Sequence, residues 1–269
     1  MENIFTGRKM AYFSVMKKSS LLGKIFLLLF VVSFITATAQ QATLQNGLSL
    51  KYLVQLPAQS SAHTPVLILL HGYGSDERDL FELKSSLPKS FLIISARAPY
   101  PLPNGGYEWY EMTDANGQHD GNPEQLANSR NLITKFIGQV IEKYKADPKQ
   151  VYVAGFSQGA IMSYQVGLTA PGKVAGIGVL SGTIYPSLKS LIKNDAALKK
   201  LRMFIAHGTA DNRIPFDSGK GAVDYLQTLG LKPQLHQYPG MGHTISKDVL
   251  SDFVEWLSSV VDSSRYRCG

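Results

Sequence analysis

From residue 40 onward, short apolar runs alternate with longer amphipathic stretches, and that alternation narrows the folds open to this chain more than any other feature. The runs are 48–56, 65–70, 91–95, 151–154, 176–180, 203–206 and 234–238. Several are nearly continuous in Val, Ile and Leu, as strands covered on both faces require. Between them, 79–87, 128–144, 160–168, 218–229 and 245–261 carry apolar residues at helical spacing. In 128–144, for example, Leu132, Phe136, Val140 and Tyr144 fall on one face, with Pro148 just beyond. Strands alternating with helices predict an α/β fold: a mostly parallel central sheet with helices on both faces. The apolar helical faces read as core, not as cofactor sites. With 269 residues, 44% of them hydrophobic, there is enough apolar mass for one large domain. No fixed-period repeat or low-complexity linker divides the chain.

The formal net charge is +7, but +4 of it sits in residues 1–39, and the remainder carries 22 basic against 19 acidic side chains. That is a weak field with no block of like charge, so nucleic acid is not an expected partner. Residues 1–39 themselves read as an export signal. Lys17, Lys18 and Lys24 precede an apolar run of 11 residues, 25–35, and the small residues Ala37-Thr38-Ala39 follow it. A spanning helix needs roughly 20 apolar residues, so no stable membrane anchor is expected once the signal is removed. Met16 offers an alternative start that gives a more ordinary signal length. The expectation is a secreted or periplasmic protein with one catalytic domain over 40–269. Cys268, the sole cysteine, rules out an internal disulfide and a cysteine metal site.

One motif carries chemistry. Val151-Tyr152-Val153-Ala154 runs into Gly155-Phe156-Ser157-Gln158-Gly159, and Ala160 opens a helix. This is G-x-S-x-G in the strand, turn, helix setting that gives it meaning. Reversing from strand to helix at one residue forces the serine into a strained backbone, and glycines two before and two after remove the side chains that would collide. The helix N-terminus adds free N–H groups where negative charge forms. A serine hydroxyl needs a base within hydrogen-bond reach. Of six histidines, His63, His119 and His236 suit surface or structural places, and His71 and His207 follow buried runs. His243 lies in Gly240-Met241-Gly242-His243, between the last strand and the last helix, where this arrangement delivers its base. The acid belongs between them on a loop after a strand, which selects Asp211 in His207-Gly208-Thr209-Ala210-Asp211 over Asp195, Asp217 and Asp224. The oxyanion donors expected are the backbone N–H of Gln158 and that of Tyr73, the latter in the glycine-rich turn His71-Gly72-Tyr73-Gly74.

These residues, with Arg97-Ala98-Pro99, Trp109, Asp211-Asn212-Arg213-Ile214-Pro215 and Gly242-His243, resemble the phospholipase/carboxylesterase family of α/β-hydrolases, which includes acyl-protein thioesterases and small bacterial carboxylesterases. The likeness spans roughly 65–260. It implies the same Ser157, Asp211 and His243, the Tyr73 and Gln158 N–H groups at the oxyanion, Trp109 near the substrate, and no cofactor or metal. Two departures point away from an acyl-protein substrate: Tyr107-Glu108-Trp109-Tyr110 replaces the usual tryptophan-phenylalanine-aspartate, and the chain carries an export signal. An exported enzyme meets small-molecule or carbohydrate-linked esters, lipids and xenobiotic esters. The expected function is therefore a carboxylesterase acting on short-acyl or aromatic esters. Two alternatives remain: a polyester depolymerase or peptidase on the same triad, and a non-catalytic binding protein on a hydrolase scaffold. Only residues 184–200 could form a lid, and they are too few for a large one.

Overall fold

The computed structural model describes residues 42–265, apart from 104, 116–117 and 194–195. Residues 1–39, expected to be an export signal, Asp195 and Cys268 lie outside the described residues. Eleven strands are described: β1 (Tyr52–Gln55), β2 (Val66–Leu70), β3 (Leu92–Ala96), β4 (Tyr100–Pro101), β5 (Tyr107–Glu108), β6 (Met112–Ala115), β7 (Gln118–Gly121), β8 (Val151–Phe156), β9 (Gly176–Leu180), β10 (Arg202–Gly208) and β11 (Gln234–Tyr238). The helices are α1 (Pro123–Tyr144), α2 (Gln158–Thr169), α3 (Phe216–Thr228) and α4 (Lys247–Arg265), with a single turn at Pro186–Lys189. Seven strands form one sheet in the order β1-β3-β2-β8-β9-β10-β11. Only the edge strand β1 runs antiparallel to its neighbour, so the sheet is mostly parallel as expected.

Along the central strands of the sheet alternate residues enter different cores, which is why β2, β3, β8 and β9 are apolar almost throughout. In β2, Val66, Ile68 and Leu70 pack with α1 and α2, while Leu67 and Leu69 face Leu80, Phe91 and α4. In β8, Val151 and Val153 take the first side and Tyr152 and Ala154 the second. All five residues of β2 are buried. The strands therefore have no free face to slide on, and their carboxyl ends sit in a fixed row.

The structure departs from the sequence reading mainly where capping and short hairpins decide. Helix α1 begins at Pro123, not 128, because the Asn122 side chain accepts from the N–H groups of Glu124 (3.1 Å) and Gln125 (3.2 Å), and proline suits the first helical position. It ends at Tyr144, before Pro148, with Lys145 in the left-handed conformation. The helix expected over 79–87 is a 3-10 helix, Leu80–Ser85, held by buried Leu80 and Phe81 and closed off by Pro88. The hairpins β4-β5 and β6-β7, the latter containing His119, were not anticipated. The described residues of 184–200 are stapled down: Ile184, Tyr185, Leu188 and Leu198 are buried, and the Ser187 N–H and Oγ donate to Asp120 at 3.0 and 2.6 Å.

Candidate active site

Ser157 sits between β8 and α2 with φ 54 and ψ −116, outside the basins open to an ordinary L-residue. The glycines around it explain how that backbone is reached. A Cβ at Gly155 would run into the carbonyl of Gly159, and one at Gly159 would run into the carbonyls of Leu70 and His71. The turn thus closes on itself and on the end of β2, backbone against backbone, and the Ser157 N–H donates to Leu180 O of β9 at 3.0 Å. The nucleophile's position is set by main chain from three strands.

The base and acid arrive from the far edge of the sheet. His243 follows β11 and Asp211 follows β10, and their loops interlock: Thr209 N–H donates to Tyr238 O (3.1 Å), Ala210 N–H to Met241 O (3.0 Å) and Gly240 N–H to the Thr209 hydroxyl (2.9 Å). Any side chain at Gly208 would strike the Met241 carbonyl. The structure brings together the three side chains singled out from the sequence. His243 Nδ1 lies 2.8 Å from Asp211 Oδ2, and Nε2 lies 2.9 Å from Ser157 Oγ. A carboxylate only accepts, so the histidine proton sits on Nδ1 and leaves Nε2 bare to receive the serine proton. Asp211 Oδ1 accepts from the N–H groups of Arg213 (2.9 Å) and Ile214 (3.0 Å). Burial by itself raises the Asp211 carboxyl; the bonds from His243, Arg213 and Ile214 outweigh it and hold the group below its usual range. The acid therefore stays ionised at neutral pH. The Phe156 ring lies 4.8 Å from the His243 ring, limiting its tilt.

On the opposite side of Ser157 runs the turn after β2. A Cβ at Gly72 would stand 3.5 Å from Ser157 Cβ, so this turn passes directly beside the nucleophile. Among the described residues the Tyr73 N–H meets no acceptor. Gln158 opens α2, where N–H groups lack an intrahelical partner. Both expected oxyanion donors are thus available, one in the turn after β2 and one at the start of α2. The turn is anchored by a partly buried ion pair: Arg97 Nε and Nη2 donate to buried Glu77 Oε2 and Oε1 at 2.5 and 2.7 Å, and Arg97 Nη1 to the Tyr107 hydroxyl at 3.0 Å. Burial pushes the Glu77 carboxyl up, but the Arg97 bonds prevail and hold it below its usual value.

Comparison with known proteins decides the family. The model of the family described as Phospholipase/Carboxylesterase matches residues 54–261, most of the chain. The chain belongs to that family. It is 28% identical over 240 residues to acyl-protein thioesterase 1 of Mycosarcoma maydis, covering 79% of this chain and 98% of that protein. It is 31% identical over 235 residues to acyl-protein thioesterase 1 of Neurospora crassa, covering 76% and 92%. The crystal structure of a carboxylesterase from Mesorhizobium loti superposes with a TM-score of 0.70 at 20% identity, over 81% of this chain and 99% of that one, which establishes the α/β-hydrolase fold. As a phospholipase/carboxylesterase family member the chain is a serine hydrolase acting on esters.

Within the family frame, one expected site residue needs correction. Trp109, placed near the substrate by resemblance, is fully buried and presents no surface to a ligand. Its indole N–H donates to His71 O (2.9 Å), and its own N–H donates to Gln158 Oε1 (2.7 Å). The sequence reading also passed over two histidines. Buried His71 receives the Ala98 N–H at Nε2 (3.1 Å), so its proton is on Nδ1, donating to Gly72 O (2.7 Å). Burial lowers its pKa despite the opposing bond to Gly72, which keeps it neutral. His207 Nε2 donates to Ile214 O (2.8 Å) and lies 3.5 Å from Asp211 Oδ2. Each stands at the end of a buried strand just before a glycine, and that shared pattern was the available signal. Among the described residues there is no cluster of metal-ligating side chains and no helix long and apolar enough to cross a membrane.

Proposed function

We propose that this protein is an exported carboxylesterase that hydrolyses small carboxylic esters, short-acyl or aromatic, through an acyl-enzyme on Ser157. The observation that carries the mechanism is the unbroken row Ser157 Oγ, His243, Asp211 with contacts of 2.9 and 2.8 Å. Ser157 Oγ attacks the ester carbonyl as its proton passes to His243 Nε2, and Asp211 stabilises the resulting imidazolium. The carbonyl oxygen takes the negative charge and receives the N–H groups of Tyr73 and Gln158. Collapse breaks the bond to the alcohol, which leaves with the His243 proton. Water then adds to the acyl-enzyme, giving its proton to Nε2, and the second collapse frees the acid and returns the proton to Ser157.

Export rests on residues 1–39, and the preference for small esters on the stapled 184–200 segment, which leaves little chain for a lid. The thioesterases among the relatives act, by name, on acylated proteins; the export segment separates this chain from such substrates. The test is a series of p-nitrophenyl esters from acetyl to palmitoyl with wild type and Ser157→Ala. The expected outcome is highest kcat/KM at short chains and a loss of about 10⁴-fold or more in the variant. Equal rates for the two proteins would remove the esterase reading, and a palmitoyl optimum would remove the short-acyl one. Export is checked by the N-terminus of the mature protein, expected just after Ala39.

A further inference from the structure

The two oxyanion donors lie on different strands' ends, yet they act only if their separation suits one oxygen atom. We propose that a buried hydrogen-bonded bracket, Gln158–Trp109–His71, fixes that separation, and that Trp109 is a positioning residue of the oxyanion hole. The bracket can be followed bond by bond. The Gln158 side chain accepts the Trp109 N–H at Oε1 (2.7 Å) and donates from Nε2 to Tyr110 O (2.6 Å). The Trp109 indole donates to His71 O (2.9 Å), and the His71 ring donates to Gly72 O (2.7 Å), next to the Tyr73 N–H. Ser129 Oγ closes the remaining acceptor by donating to Trp109 O (2.5 Å).

Each link is dry: Trp109, His71 and Ser129 are fully buried and Gln158 is nearly so. Hydrogen bonds in such surroundings are costly to leave unmade, so the links resist stretching. The chain of contacts begins at the residue that owns one donor and ends beside the residue that owns the other. It bypasses the hole itself, leaving both N–H groups free. Gln158 thus serves twice, with its main chain toward the developing charge and its side chain holding the opposite wall. Among the described residues no other route of side-chain hydrogen bonds joins α2 to the 71–73 turn.

This inference rests on the acyl-enzyme reading above. Its test measures kcat, KM and the affinity of a trifluoromethyl ketone, whose serine adduct is an oxyanion, for wild type, Trp109→Phe, Gln158→Met and the double variant. Trp109→Phe removes the indole N–H together with part of the buried ring, and Gln158→Met keeps length and the backbone donor while removing both side-chain bonds. A displaced donor is weaker than a deleted one, so each single variant is expected to lose about 10-fold or more in kcat, with a matching loss of ketone affinity and little change in KM. Because the links act in series, the double variant should lose no more than the worse single. Phe136→Leu, a core change in α1, controls for general loosening and should leave kcat intact. Unchanged kcat in both single variants, additive losses, or an equal loss in Phe136→Leu overturns the bracket. If one variant does not fold, the other's kcat and ketone affinity decide alone. An inactive wild type, matching Ser157→Ala, would instead sink the esterase reading and the bracket with it.

Discussion

The two flanks of Ser157 are built from different materials. On one side stand an imidazole, which only histidine supplies, and a carboxylate, which only aspartate and glutamate supply. On the other stand two peptide N–H groups that every residue but proline possesses, placed by buried contacts among Gln158, Trp109, His71, Glu77 and Arg97. The first flank is specified by what its residues are, the second by where the main chain is held. Substitution should therefore abolish function on the first flank, and erode it through geometry and stability on the second.

The largest expected effect tests the first flank. Asp211→Asn keeps the shape but takes away the charge and the preference for the Nδ1 tautomer, so kcat should fall about 10³- to 10⁴-fold, with a lowered thermal midpoint near neutral pH because the depressed carboxyl stabilises the fold there. A loss under 10-fold would mean that His243 is oriented by something else. Next comes Gly159→Ala, whose methyl would strike the carbonyls of Leu70 and His71; about 1–3 kcal/mol of stability should go, together with most of the activity. Denaturant unfolding measures the first and ester turnover the second, and loss of only one would separate the turn's structural role from its catalytic one.

Glu77→Gln probes how the second flank is anchored. The Glu77 carboxyl is held below its unfolded value of 4.5 by Arg97, so its stabilisation is complete above that pH and disappears as pH falls through the depressed folded value. At pH 7 the variant should be less stable by about 3 kcal/mol, since Arg97 is left without its buried partner. The gap to wild type should narrow steadily below pH 4.5, as thermal midpoints across pH 3–7 would show. A gap independent of pH would mean that the pair is not ionic. The smallest effect lies outside both flanks. Gly138, in the exposed part of α1, has nothing within 4 Å of a would-be Cβ, and Gly138→Ala should add about 0.5–1 kcal/mol of stability without touching turnover.

The contrast between the flanks also explains what could be read in the chain beforehand. The sheet was legible because strands covered on both faces must be apolar at every position, as in Val66–Leu70. Ser157, Asp211 and His243 were legible because each follows a strand and each is chemically particular. The start of α1 was missed because it depends on a single cap, Asn122, in a polar stretch, and the short hairpins because strands of two and four residues, the latter mostly polar, show no apolar period to detect. Trp109 was misjudged for a different reason. A tryptophan beside a site looks equally suited to a ligand or to the core, and only its neighbours Gln158 and His71 distinguish the two.

The φ of 54 and ψ of −116 at residue 157 have an evolutionary corollary. A lone residue forced there costs on the order of 1–3 kcal/mol, which glycine at the same place would largely recover. Selection for heat resistance alone would thus push this codon toward glycine and silence the enzyme. The conformation endures only as long as turnover, and not mere persistence of the folded chain, is what the cell requires of it.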